Sequence, residues 1–245
     1  MISVSFSFFL LISMISWITS DSPFPPLETA LIAPNGLLAA GGDLSPKRLI
    51  EAYRQGIFPW FNAGEPILWW SPNPRMVLFP NELKISHSLY KTLHNSHYEI
   101  RIDSAFNQVM QACALPRKEK TGTWIHSDIL SAYTALYNMG IAHSIETWEN
   151  GELSGGLYGI AQGKIFFGES MFFKTPNASK IAFVHLVKQL ERWGFGMIDC
   201  QMKTIHLASL GAREITRIEF AQKLKQLVAS PNQDQKWHFD YVWRK

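Results

Sequence analysis

Three residues near the C-terminal half could do polar chemistry in an otherwise apolar setting: Glu169, Asp199 and Gln201. Ile198-Asp199-Cys200-Gln201 follows a run with the character of a buried strand, and a strand period of two places Asp199 and Gln201 on one face with Cys200 on the other. Polar pairs at a strand end can line a cleft. The bland alternative is that one of them caps a helix over Lys203 to Leu210. Glu169 interrupts the apolar run Phe166 to Met171 just after Gly168. A buried carboxylate needs a partner, which could be a substrate ammonium or guanidinium, or a structural ion pair with Lys164, Lys174 or Lys180.

Trp60, Trp69, Trp70 and Trp124 sit beside Pro, Gly or polar turns, where an indole can stack on a base or close a core. Lys47, Arg48, Arg75, Lys118 and Lys120 could meet phosphates, although solvated surface is the commoner fate of a lone cation. Gly155, Gly156 and Gly159 allow a close backbone approach, but their spacing is neither a Walker loop nor a dinucleotide fingerprint, and a bulged strand beside a pocket is expected. Cys113 and Cys200 lie far apart in no metal-ligand spacing, so neither a metal nor a disulfide is expected.

The elements that must position these residues follow from periodicity. Ser45-Pro46 opens a helix with Leu49, Ile50 and Tyr53 on one face, ending at Gly56. Short strands are expected over 67–70, 76–79 and 98–102, a helix from Ser104 to Cys113, and another from Ser127 to Gly140. His143 to Met171 reads as an antiparallel meander turning at Asn150-Gly151 and Gln162-Gly163. A helix over 178–193, a strand over 196–200, and a last helix opened by the Thr216-Arg217-Ile218-Glu219 capping box complete the order. This is an α+β chain: an extension over 1–20, a small irregular N-terminal domain over 21–95, a catalytic domain over 96–230 and a polar tail over 231–245.

Composition sets limits on that reading. The 245 residues are 47% hydrophobic and 18% charged, which excludes a disordered chain and suffices for a large core. A net charge of +3 permits a polyanionic partner without diagnosing one. Residues 1–20 carry no Lys or Arg, lack a clear cleavage site and are broken by serines, so export is the weaker reading and Met14 is a second possible start. Residues 1–13 are therefore expected to be dispensable.

Several segments then combine: Pro34 to Leu44, Gly56-Ile57-Phe58-Pro59-Trp60-Phe61, Trp69 to Arg75, Gly122-Thr123-Trp124-Ile125, His143-Ser144-Ile145-Glu146, Gly168 to Phe172, and Ile198-Asp199-Cys200-Gln201. Their order from about Pro23 through Ala212 closely resembles the leucyl/phenylalanyl-tRNA-protein transferases. The resemblance implies transfer of Leu or Phe from charged tRNA to the α-amine of proteins beginning with Arg or Lys, which marks them for degradation. It also implies an N-acetyltransferase-like (GNAT-like) fold for the larger domain, a cytoplasmic monomer, no membrane and no cofactor. By the same resemblance Asp199 and Gln201 belong to the reacting centre and Glu169 to the acceptor region. Trp60 and Trp124 would meet the terminal adenosine, Leu157, Phe166, Ile198 and Met171 would hold the aminoacyl side chain, and Arg75, Lys118 and Lys120 are assigned to tRNA phosphates. Leu157 stands where the family often has Met, and Phe173 where it often has Ser. A small-molecule N-acetyltransferase using acetyl-CoA and an exported binding protein are the rival readings.

Overall fold

The computed structural model describes residues 15–115, 123–232, 237–241 and 243. Lys118, Lys120 and the segment 1–13 lie outside the described residues. Two sheets form. The smaller has the order β1 (Ser16–Ile18), β2 (Leu37–Gly41), β4 (Leu68–Trp70), β3 (Phe58–Pro59). The larger has seven strands in the order β11 (Arg213–Ile215), β5 (Arg75–Leu78), β10 (Met197–Gln201), β9 (Ile165–Phe173), β8 (Glu152–Gln162), β7 (Ala142–Glu149), β6 (Glu99–Ile102).

The expected meander is present as β7, β8 and β9, with β6 added on the outer edge. Asn150 and Gly151 both take positive φ, 53° and 79°, the backbone that a tight two-residue hairpin turn requires. After β9 the helix over Ala178–Arg192 crosses the sheet and returns the chain as β10, parallel to β9. The close approach allowed by the glycines of β8 is made by the protein itself. A Cβ on Gly155 would lie 2.5 Å from Cβ of Ala178, and one on Gly159 would collide with the Phe167 carbonyl oxygen. These glycines therefore admit a helix and a neighbouring strand, not a ligand.

We label the helices α1 (Pro46–Arg54), α2 (His87–Asn95), α3 (Phe106–Ala114), α4 (Ser127–Asn138), α5 (Ala178–Arg192), α6 (Ile205–Ser209) and α7 (Arg217–Val228). Ser45 caps α1 by accepting the Arg48 N–H, and Thr216 caps α7 by accepting the Glu219 N–H. On one side of the large sheet Tyr158, Ile160 and Phe167 join Val109, Tyr133 and Leu136 of the helices and Leu38, Ala39 and Trp69 of the small sheet. The two sheets thus share one apolar cluster. On the other side Leu157, Phe166 and Ile198 pack with Leu89, Leu93 and the apolar face of α5.

The expected α+β order is observed, with two shifts of boundary. The strand expected near 76–79, within the small domain, is an internal strand of the large sheet, and residues 16–18, within the expected extension, form β1 of the small one. Periodicity cannot assign a strand to a sheet, because both sheets bury it equally well.

The segment after α7 is also more than a polar tail. Trp237 is buried and stacked on His143 at 3.7 Å between centroids, with Trp193 edge-on at 5.0 Å. Gln189, fully buried in α5, accepts the backbone N–H groups of Asp240 (3.0 Å) and Tyr241 (2.9 Å) and donates to the Asp240 carboxylate. The described part of the tail therefore straps α5 to the sheet. Trp237→Ala is expected to cost about 3–5 kcal/mol of unfolding free energy, the range for truncating a buried large aromatic, as read from urea denaturation.

Candidate active site

Two bulges on neighbouring strands build the site. On β9, Ser170 pairs with Tyr158 and Gly168 with Gly159, so Glu169 is the extra residue that pairing skips. On β10, Asp199 pairs with Val77 and Gln201 with Met76, so Cys200 is skipped. The β10–β9 ladder stops at Asp199 and Phe167 while β9 runs on to Phe173. Across the gap where pairing has ceased, Gln201 Nε2 donates to Glu169 Oε1 at 3.0 Å.

Strict alternation, which placed Asp199 and Gln201 on one face, does not carry through the bulge. Gln201 instead takes φ +60°, a left-handed conformation that few non-glycine residues adopt. Its backbone N–H donates to Asp199 Oδ1 at 2.9 Å, which holds the turn. Neither residue caps a helix: α6 begins later than expected, and Thr204 caps it by accepting the Leu207 N–H.

Asp199 is in turn held by Arg75. Nε donates to Oδ1 at 2.8 Å and Nη2 to Oδ2 at 2.6 Å, in a fork-to-fork pair whose members are 1% and 0% exposed. The guanidinium lies over Phe58 (4.8 Å) and Phe220 (4.6 Å). Arg75, expected at a tRNA phosphate, is instead buried with its charge committed to Asp199. The Asp199 carboxylate is itself occupied by Arg75 and by the Gln201 backbone N–H. Arg48 is likewise buried, over the Phe24 ring and paired with Glu51.

Glu169 is half-buried, and its hydrogen-bond partners among the described residues are neutral. Tyr53 of α1 donates to Oε1 at 2.7 Å and Tyr133 of α4 to Oε2 at 3.1 Å, with the two hydroxyl oxygens 2.5 Å apart. Its bonds are thus to phenols and an amide where a lysine was expected in the structural reading; Lys164 donates to the Trp193 carbonyl. Loss of hydration pushes the Glu169 carboxyl up to about 7; the tyrosine hydrogen bonds oppose that, Asp199 adds to it and Arg75 opposes it. Burial, together with the Glu169 charge, raises both phenols well above their ordinary value. Burial also pushes the Cys200 thiol up, which disfavours a thiolate nucleophile there.

In the sequence Tyr53 is legible only as a member of an apolar helix face, and Tyr133 only as a residue of the helix expected from Ser127 to Gly140. The available signal was chemical: a phenol placed in a core must find a partner for its hydroxyl. Neither they nor the Arg75–Asp199 pair could be deduced from spacing.

The tryptophans divide. Trp69 is fully buried, its indole N–H bonded to the Gly41 carbonyl, and closes the small-sheet core. Trp60 is 40% exposed, and its carbonyl accepts the Trp70 indole N–H at 2.7 Å. Trp124 is half-buried against the shared core. Phe61 and His126 meet edge to face at 4.9 Å, so the loops carrying Trp60 and Trp124 adjoin. Leu157, Phe166 and Ile198 are at most 3% exposed and fill the core, whereas Met171, paired with Leu157, is half-buried. Among the described residues no three His, Cys, Asp or Glu side chains gather as a metal-binding set.

The arrangement can hold a cation or an amine against Glu169 and orient it with the Gln201 amide. Residues 77–225 match the family described as leucyl/phenylalanyl-tRNA protein transferase, and residues 42–73 match its N-terminal domain. The chain is 69% identical to the leucyl/phenylalanyl-tRNA–protein transferase of Nitrosomonas eutropha over 95% of this chain and 99% of that protein. It is 59% identical to that of Thiobacillus denitrificans over 91% of this chain and 97% of that one. Among solved structures it is similar to a ribosomal-protein-alanine N-acetyltransferase from Brucella melitensis (TM-score 0.35, 11% identity, 61% of this chain and 100% of that chain). It is similar too to L-PGS from Bacillus licheniformis (TM-score 0.39, 12% identity, 69% and 54%). Both the part of the chain that carries Glu169, Asp199 and Gln201 and the part that carries Trp60 fall inside the matched ranges, and on that match the chain belongs to the leucyl/phenylalanyl-tRNA protein transferase family.

Proposed function

We propose that this aminoacyltransferase moves leucine or phenylalanine from the 3′ end of charged tRNA to the α-amine of a protein beginning with Arg or Lys. The observation that carries the acceptor half is Glu169, a carboxylate at the open end of the β9–β10 ladder whose hydrogen-bond partners are neutral among the described residues. A guanidinium or ammonium side chain would supply the charge-assisted partner it lacks.

Attack on the ester needs a neutral amine, and an α-amine of pKa about 8 is already partly neutral at pH 7, so a strong base is unnecessary. Orientation then dominates. The Gln201 amide directs the amine, and the Arg75–Asp199 pair holds Gln201 in its left-handed turn. The nitrogen bonds to the aminoacyl carbonyl carbon, the ester bond to the ribose oxygen breaks, and that oxygen takes the one proton the nitrogen gives up, while the other stays as the N–H of the new amide. Trp60 and Trp124 stack on the terminal adenosine from adjoining loops. Met171, on the open stretch of β9, faces the leucyl or phenylalanyl side chain above Leu157, Phe166 and Ile198. Among the described residues no helix is long and apolar enough to cross a membrane. We place the enzyme in the cytoplasm, where charged tRNA is available, and take it to act as a monomer whose products are directed to degradation.

The test is transfer of labelled leucine from Leu-tRNA to an Arg-starting peptide, run beside acetyl-CoA with the same peptide. Transfer from tRNA alone is the expected result; acetylation without leucylation overturns the reading. In the same assay Trp60→Ala should raise the KM for Leu-tRNA roughly 5- to 150-fold, the equivalent of about 1–3 kcal/mol of base stacking, with the fold intact by circular dichroism. An unchanged KM would make Trp60 a surface residue without a substrate contact.

A further inference from the structure

Three groups meet in the floor of the site, and their spacing fixes how many protons they need. The Tyr53 and Tyr133 hydroxyl oxygens are 2.5 Å apart, Tyr53 lies 2.7 Å from Glu169 Oε1, and Tyr133 lies 3.1 Å from Oε2. Each edge of this triangle requires one O–H between its two oxygens. With Glu169 ionised only the two phenol protons are available. If both point at the carboxylate, the shortest edge sets two oxygens against each other with no proton between them. If Tyr133 donates to Tyr53, the edge to Oε2 is empty.

One further proton closes the circuit. Oε2–H donates to the Tyr133 oxygen, Tyr133 donates to Tyr53, and Tyr53 donates to Oε1. In that form Oε1 is the carbonyl oxygen of the acid, with two lone pairs, and it also receives the Gln201 Nε2–H.

We infer that Tyr53 and Tyr133 hold Glu169 as a proton-exchanging carboxyl, protonated and ring-closed in the empty site and ionised when the acceptor's cationic side chain arrives. This rests on the reading of Glu169 as the acceptor site. The balance is one for one: the carboxyl proton leaves to solvent as one positive charge enters, so the site never holds an uncompensated carboxylate. Tyr53 and Tyr133 are positioning residues that act through Glu169.

The groups facing the carboxyl come from every side: Tyr53 from α1, Tyr133 from α4, Tyr158 from β8, and beyond them Asp199 of β10 with Arg75 of β5. The last two form their own ion pair, so their opposed effects on Glu169 offset one another. Burial is then the largest effect, and it pushes the Glu169 carboxyl up to about 7, toward the protonated form in which the ring closes.

The experiment uses the whole chain with its glutamate carboxyls labelled with carbon-13. A carboxyl signal that is missing in Glu169→Gln should titrate near neutrality, and Tyr133→Phe should shift its midpoint, because the ring loses one of the oxygens that closes it. Calorimetry with an Arg-starting peptide and no tRNA, in two buffers of different ionisation enthalpy, should show release approaching one proton per peptide at about pH 6 and close to none at about pH 8.5. Glu169→Gln should release none at either pH. A midpoint in the ordinary carboxylate range, or one unmoved by Tyr133→Phe, overturns the ring. A midpoint near neutrality with Arg-starting and neutral peptides bound equally by wild type and Glu169→Gln would instead overturn the acceptor reading, and with it the coupling of proton release to acceptor binding.

Discussion

Arg75→Met is expected to destabilise the protein by about 3–5 kcal/mol, because it leaves the Asp199 carboxylate buried without its partner. The pair has essentially no contact with water, so solvent screening cannot soften the loss. Replacing both members, as Arg75→Met with Asp199→Leu, should recover most of that stability, since a well-packed apolar pair of similar volume commonly matches a buried ion pair. Activity should not recover with it. The double variant lacks the carboxylate that accepts the Gln201 N–H, so the left-handed turn and the placement of the Gln201 amide are lost. Urea denaturation and leucyl transfer, measured on the same three proteins, separate the two effects. A double variant that is both stable and fully active would show that the pair is structural only. Asp199→Asn leaves Arg75 without a counter-charge and should lower kcat more than it raises the KM for charged tRNA, as expected of a group behind the reacting centre.

The second large effect concerns acceptor choice. Glu169→Gln keeps the shape and the bonds to the tyrosines but removes the charge. It should reduce the preference in kcat/KM for an Arg-starting over a neutral-starting peptide by roughly 10- to 150-fold, the equivalent of a charge-assisted hydrogen bond of about 1.5–3 kcal/mol. Unchanged preference would return Glu169 to the core. The same variant has a signature in stability. The folded-state carboxyl titrates near 7, above the value of about 4.3 for an unfolded chain, so between those limits the folded protein binds more protons than the unfolded one. Its contribution is therefore fully present at low pH, is lost as pH rises through this window, and is constant above it. Thermal melts of wild type from pH 5 to 8 should carry this downward slope relative to Glu169→Gln.

Much of this was written locally. The caps at Ser45 and Thr216, the Asn150-Gly151 turn and the apolar faces of α4 and α5 are interactions within one or two turns of chain, and local chemistry suffices to specify them. Glu169, Asp199 and Gln201 stood out because polar residues in apolar strands demand an explanation. What they touch was settled only by folding. The partner of Asp199 is 124 residues away, and Tyr53 reaches Glu169 across 116 residues, distances at which no periodicity carries information. The strands β1, β2, β3 and β11 were missed for a related reason, since elements of a few residues have too few repeats to show a period, and the nine-residue helix α2 was missed as well. The two bulges are the decisive case. A strand's alternation tells which face a side chain takes only while pairing is regular, and whether one residue is skipped depends on the neighbouring strand, so the placement of Glu169 and the turn at Gln201 belong to the tertiary structure alone.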